Sequence, residues 1–544
     1  MTRYPWARGG DINAFFGLML DNMTVMILLV ALITSSTPSR DHYTREFVLT
    51  QMIPGTALGV LLGDLVYTWM AFRLARRTGR SDVTAMPLGL DTPSLFGVGP
   101  LVLLPALKVG MEISGNHEQA MVFGWHVAAV VLVLIGVFKT LLAPLGGAIR
   151  RWVPRAGLLG SLAAIALVLI AFVPWWKHIA VIPLVGMLSL TIILVALVAH
   201  RALPFKIPGA LAAVVVGAIF FWGGNYLGER WQVPLVPPAP AHEPAAWRAP
   251  MLFPDFAWNI SWWETVFVQA LSYLPVMLPF ALATIVGGID CTESAAAAGD
   301  EYDTRTVLLT EGMASLAAGL CGGVIQTTPY IGQPAYKTMG GRAAYTLATA
   351  LFVGIAGISG WFHILFDWLP EAAMFPILVF VGLEITAQSF KATPVRHYPA
   401  LALAALPALA YLVDIPNQGN PNFPKSADDQ ALLCLANGFI VTSMLWAAAL
   451  AAILDGRLVR AAAYFAVAGL CSLFGIIHSP LREAAIALPQ HVYEEMPQQT
   501  AFLCQSPFHW AAAYALAALV LCGLAAWPAA SQTDAQENGS TPVA

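Results

Sequence analysis

VTAMPLGLDTPSLFG (Val83–Gly97) and IQTTPYIGQPAYK (Ile325–Lys337) are the two stretches on which the fold turns. Each sets two prolines, glycine and polar Thr, Asp or Gln side chains beside apolar runs long enough to cross a bilayer. Proline removes an N–H and disfavours helix at the residue before it. In lipid, non-helical backbone survives only where protein buries it or where it lines a cavity. A matched pair of breaks, one in each half of a chain, marks the binding site of a repeat-built transporter. The spacing predicts short extended pieces that pair with each other at mid-depth. Half-helices then start near Ser94 and Ala335, with their positive dipole ends aimed at one site.

The rest of the chain agrees with a membrane setting. Of 544 residues, 58% are hydrophobic and 11% charged. The mean hydropathy is +0.70, and a soluble chain carries about 25% charge. Apolar runs of about 20 residues recur from end to end. The net charge of −4 gives no support for a nucleic-acid partner. The six cysteines form no CxxC pair, and no Walker loop, HExxH or nucleophile elbow is present, so neither an ATP-driven pump nor a hydrolase is supported. The expectation is a non-enzyme.

Windows of about 19 residues give about 14 spans and two extra ones at the C-terminal end. Arg73, Arg76, Arg77 and Arg80 follow span 2; Arg150, Arg151 and Arg155 follow span 4; Lys391 and Arg396 follow span 12. With alternating spans, all fall on one side. The positive-inside rule makes that side cytoplasmic, with both termini inside and the chain in the inner (cytoplasmic) membrane. The Pro- and Trp-rich stretch 224–261 reads as an extracellular linker between the halves, with Trp258, Trp262 and Trp263 suited to an interfacial belt. The polar tail 531–544 reads as disordered.

Ionisable groups at membrane depth are costly and so are candidates for function. Asp21 and Asn22 lie mid-span in GLMLDNMTVM. Asp64, in LLGDLVYTWM, reads as a hydrogen-bonding group for a neighbouring element. Asp290 and Glu293 stand at i, i+3 in TIVGGIDCTESAAAAGD; two carboxylates so close repel, which suits proton coupling. The breaks add Asp91 and Thr92, then Thr328, Tyr330 and Gln333. Gln333 both donates and accepts, which fits an amide-like edge of a heterocycle. No embedded Lys or Arg is expected nearer than Lys337. His126 and His363 read as packed or interfacial.

LDNMTVM, the Thr284–Asp300 run, TTPYIGQPAYK and FPILVFVGLEITAQSFK together resemble the xanthine/uracil permease family, the nucleobase–ascorbate transporters, including its hypoxanthine/guanine/adenine branch. The resemblance covers roughly 15–454. It sets Asp21-Asn22 at the family's Gln-His pair and Gln333 at an acidic or Gln position. A gapless match places Gly287 where the family has a substrate-binding acid. It implies 14 spans as two inverted seven-span repeats, with spans 3 and 10 half strand and half helix. It also implies a core domain (1–145 and 262–366) moving against a gate domain (146–223 and 367–455), coupling to H+ or Na+ with no cofactor or metal, and a homodimer; the extra spans in 456–530 depart from the family pattern.

These readings combine into an all-α polytopic membrane protein carrying out proton-coupled uptake of a purine- or pyrimidine-like small molecule. Gln333, Asp290, Glu293, Asp21, Asn22, Asp91, Thr92, Thr328 and Tyr330 line the site, with Asp290 and Glu293 coupling protons. The alternative is an organic or inorganic anion transporter on the same architecture, since fold does not decide substrate.

Overall fold

The computed structural model describes residues 4–34, 40–145, 155–199, 201, 203–204, 207–233, 235–237, 260–330, 332–362, 369–417, 423–481 and 508–527. Most of the linker (238–259, with Trp258), His363, Cys504 and the tail 531–544 lie outside them.

The chain is a multi-pass, largely helical membrane protein. Its first half comprises α1 (Gly10–Ile33), α2 (Arg45–Thr78), strand β1 (Leu88–Leu90) running into α3 (Thr92–Ser114), α4 (His117–Leu142), α5 (Leu159–Ile179), α6 (Pro183–Val198) and α7 (Gly209–Trp231). The second half repeats this order. It comprises α8 (Val268–Ala297), α9 (Thr304–Leu320), strand β2 (Thr327–Pro329) running into the short α10 (Gln333–Thr338), α11 (Ala344–Ile358), α12 (Glu371–Lys391), α13 (Val395–Asn417) and the broken pair α14 (Ala427–Ala436) and α15 (Phe439–Leu454). Two further apolar helices follow, α16 (Leu458–Leu473) and α17 (Phe508–Ala526). Among the described residues the elements thus follow the expected order of seven and seven segments with one broken in each half, nine helices are long and apolar enough to cross a membrane, and two apolar helices lie where the C-terminal pair was expected. The half-helices begin two residues earlier than expected in each half, at Thr92 and Gln333. In the first case the Asp91 side chain caps the helix by accepting from Ser94 N, and Pro93 is tolerated in the first turn.

The packing carries the mark of two inverted repeats. α1 packs on α11 just as α8 packs on α4, and α2 packs on α11 just as α9 packs on α4. Each contact thus recurs with the halves exchanged. α2 and α9, the two second spans, also meet each other. A separate set is formed by α5, α12, α13 and α15, with α6 against α7. α16 lies against α15 and α17.

Small residues let the helices approach closely, as expected where lipid gives no hydrophobic drive for association. A Cβ on Gly136 of α4 would lie 2.6 Å from Leu316 N, and one on Gly312 of α9 would lie 2.6 Å from Thr140 Oγ1. The helices cannot meet this way with larger residues. At the 76° bend between α14 and α15, Gly438 has φ +70° and its Cβ would sit 2.1 Å from Ile476 O, so both conformation and space require glycine.

Candidate functional site

The two breaks meet. Leu88, Gly89 and Leu90 pair antiparallel with Pro329, Thr328 and Thr327 respectively. The pairing extends at both ends: Tyr330 N donates to Pro87 O and Asp91 N to Gln326 O, both at 2.9 Å. In an antiparallel ladder alternate residues turn their N–H groups outward, away from the partner strand. Here those are Leu88, Leu90, Thr327 and Pro329. With no third strand among the described residues, each outward donor needs an acceptor from a helix.

Every one is accounted for. Leu88 N donates to Asp64 Oδ1 of α2 at 3.0 Å, and Leu90 N donates to Asn22 Oδ1 of α1 at 3.0 Å. Thr327 N donates to Ser315 Oγ of α9 at 3.0 Å. The fourth position is Pro329, which has no N–H to satisfy. Asp64 and Asn22 are therefore backbone anchors for β1. For Asp64 that is the hydrogen-bonding role read from its span; Asn22 is committed to the strand rather than left free at a cavity edge.

Asp21, one residue before Asn22 and so about 100° round the helix, behaves differently. Its carboxyl meets the Tyr330 hydroxyl, and its Oδ1 is buried without a hydrogen-bond partner. Tyr330 OH lies 3.3 Å from Leu90 O, and its ring lies over Gly89, where a Cβ would fall 2.3 Å from Cζ. Asp21, Tyr330 and Gly89 thus form one layer over the strand crossing. Gly89→Val is expected to displace the Tyr330 ring and to lower solute uptake by at least about tenfold, if the displacement costs about 1.4 kcal/mol of site geometry. Normal uptake by a folded Gly89→Val protein would contradict this placement.

Asp91, Thr92 and Thr328 are buried at the same crossing. Asp91 Oδ2 accepts from Ser94 N at 3.0 Å and from Gln326 Nε2 at 2.9 Å. Behind β2 lies a group that the sequence reading missed. The Lys139 ammonium of α4 donates to Thr327 O at 2.9 Å and Gln326 Oε1 at 3.3 Å, and pairs with Glu311 of α9. The two side chains are 1% and 0% exposed. The expectation of no embedded cation nearer than Lys337 is thereby corrected. Gly136, one turn before Lys139, was the available signal, since it lets α9 come close enough for Glu311 to be reached.

Gln333 sits elsewhere. Its amide is buried and donates to Asp300 Oδ2 at 2.8 Å and Thr84 O at 3.2 Å. Asp300, another residue missed in sequence, also accepts from Thr84 N at 3.1 Å and pairs with Lys337 at 2.7 Å and Arg80 at 3.3 Å. This cluster ties the α2–β1 connection, the end of α8 and α10 together. At its exposed rim, the Arg80 hydrogen bond holds the Asp82 carboxyl below the usual range. The structure thus brings Asp21, Asn22, Asp91, Thr92, Thr328 and Tyr330 to one crossing and places Gln333 in the Asp300 cluster. Asp290 and Glu293 belong to α8, but their side chains lie outside the described residues. On the same helix Gly288 backs onto Glu311, whereas a Cβ at Gly287 would meet nothing within 4 Å. Among the described residues no group of three or more His, Cys, Asp or Glu could hold a metal ion.

No family model matches the chain. A relative from Bacillus subtilis (strain 168), described as "Putative sulfate transporter YvdB", is 26% identical over 367 residues. The match covers 60% of this chain and 60% of that protein, so the chain spans about 60% of the length of the curated relative it matches. Among solved structures, the transmembrane domain of a cyanobacterium bicarbonate transporter, BicA, is 14% identical with a TM-score of 0.45, covering 74% of this chain and 95% of that one. The overall structure of SLC26A9 is 13% identical with a TM-score of 0.47, covering 74% and 61%. The resemblance to nucleobase permeases and the reading of purine or pyrimidine uptake are corrected accordingly. The local motifs that suggested them are strand-and-helix features of the fold, and the Bacillus relative is described as a putative sulfate transporter.

Proposed function

We propose that the chain is a secondary active transporter of a small oxyanion, with sulfate the first candidate, rather than an enzyme. One observation carries the reading: the antiparallel pairing of Leu88–Leu90 with Thr327–Pro329, which unites the two broken spans at one place. A long helix, Thr92–Ser114, starts at the end of β1. Its positive dipole end favours an anion. The description of the Bacillus relative supports the same class.

The solute would lie beside the crossing, against the Asp21–Tyr330 layer, Thr92 and Thr328. An ionised carboxylate at Asp21 repels an anion, whereas a protonated one does not. Anion and proton then bind together, and binding linkage makes each raise the affinity for the other. Asp21 is the proposed proton carrier, with Asp290 and Glu293 as further candidates and Na+ as the competing coupling ion. Gln333 would hold the cytoplasmic end with Asp300. The helices α1–α4 and α8–α11 would move as a core against a gate of α5–α7 and α12–α15. The chain would sit in the cytoplasmic membrane with both termini inside.

Uptake of labelled sulfate, bicarbonate and small carboxylates into proteoliposomes tests the reading, with and without an inward proton gradient. Saturable uptake of at least one anion, accelerated by the gradient, is expected. Absence of uptake for all of them would overturn it. Asp21→Asn keeps the size and a polar contact to Tyr330 but carries no exchangeable charge. It should fold normally and lose the acceleration; a gradient response equal to that of the wild type would remove Asp21 from the coupling.

A further inference from the structure

We infer that the Lys139 ammonium is a tethered cation seated in a monovalent-cation site, and that shortening this side chain opens the site to a small free cation. The ammonium has three N–H donors. It meets three oxygens of different kinds: a carboxylate of Glu311, the backbone carbonyl of Thr327 and the amide Oε1 of Gln326. Carboxylate, carbonyl and amide oxygens are also the donors that hard metal cations take. Lysine's head group is itself a compact point charge, unlike the planar fork of arginine.

The oxygens are held in place by contacts that do not involve Lys139, hydrogen bonds at Thr327 and Gln326 and packing at Glu311. Thr327 is fixed by its pairing with Leu90 and by Ser315, which takes its N–H at 3.0 Å. Gln326 is fixed through its other amide atom, which donates to Asp91 Oδ2 at 2.9 Å. Glu311 is fully buried and backed by α8, where a Cβ on Gly288 would lie 3.0 Å from Oε2. Removing the ammonium therefore leaves a formed oxygen cage with a buried, uncompensated carboxylate. Such a charge is strongly destabilising until a counter-charge enters. In the intact protein the seat is filled from within, so its stability should not depend on which monovalent cation the solution holds. The inference is independent of the transported solute.

The test is thermal unfolding of the purified full chain in chloride salts of choline, lithium, sodium, potassium and ammonium at equal ionic strength, so that the anion is constant. Wild type should melt at the same temperature in all of them. Lys139→Ala should melt lower in choline and recover saturably in at least one small cation. At about 100 times its Kd that cation is worth about 2.7 kcal/mol, a rise of about 2 °C for a chain of this length. Lys139→Met fills the space without charge and should not recover. The Lys139→Ala/Glu311→Gln protein, which has no buried charge at the pair, should fold in choline and ignore the cation. Three results would overturn the inference: Lys139→Ala melting alike in choline and every small cation, Lys139→Met recovering equally, or Lys139→Ala folding in none of the salts.

Discussion

Glu311→Leu is expected to destabilise the protein by about 3–5 kcal/mol, the cost of breaking a buried pair and leaving one charge unpaired. The stranded group is the Lys139 ammonium, which would keep only the Thr327 carbonyl and Gln326 amide oxygens. Both lie on or next to β2, so the strand crossing should loosen along with the helix contact. Melting temperature and the yield of monodisperse protein after extraction are the readouts. The companion Lys139→Met/Glu311→Leu protein is expected to regain most of the loss, because well-packed apolar residues replace buried pairs with little or no penalty. A single Glu311→Leu variant as stable as wild type would mean that the pair contributes nothing to holding α4 against α9.

The second large effect belongs to the anchors of β1. Asp64→Leu leaves the Leu88 N–H buried without an acceptor, and Asn22→Leu does the same to Leu90. Each orphaned donor costs about 1–3 kcal/mol. Because the strand carries the site geometry, that loss should appear in transport as well as in stability, at about tenfold per 1.4 kcal/mol. Asp64→Asn retains an oxygen acceptor and should stay close to wild type. Uptake normalised to folded protein separates the cases. If Asp64→Leu transported as well as Asp64→Asn, the hydrogen bond to Leu88 would have no part in shaping the site.

Much of the architecture was legible because its signals are short-range. Proline, glycine and a change of polarity within a dozen residues mark a broken span, and Asp64 in an apolar run asks for a partner. The first half-helix start was placed two residues late because Asp91 was weighed as a ligand rather than as the cap it is. Gln333 was read as a ligand from its position in a motif. Only the folded chain shows its amide bonded to Asp300 and Thr84. The nucleobase reading failed for a related reason: motifs that build the strand crossing report the fold, and the fold is compatible with more than one solute.

By itself the sequence determined a membrane protein of two seven-span halves, each interrupted once, with two more apolar helices at the end. Hydropathy and backbone-breaking residues act locally, so they can be read without knowing what touches what. Only the tertiary structure decided which acceptors satisfy the outward strand donors, that Lys139 and Glu311 form a buried pair, and that Gln333 belongs to the Asp300 cluster. These are matters of partnership between distant segments. A buried polar group is tolerable only with its partner, and the partner is chosen by how helices pack across the two repeats, which no local pattern encodes.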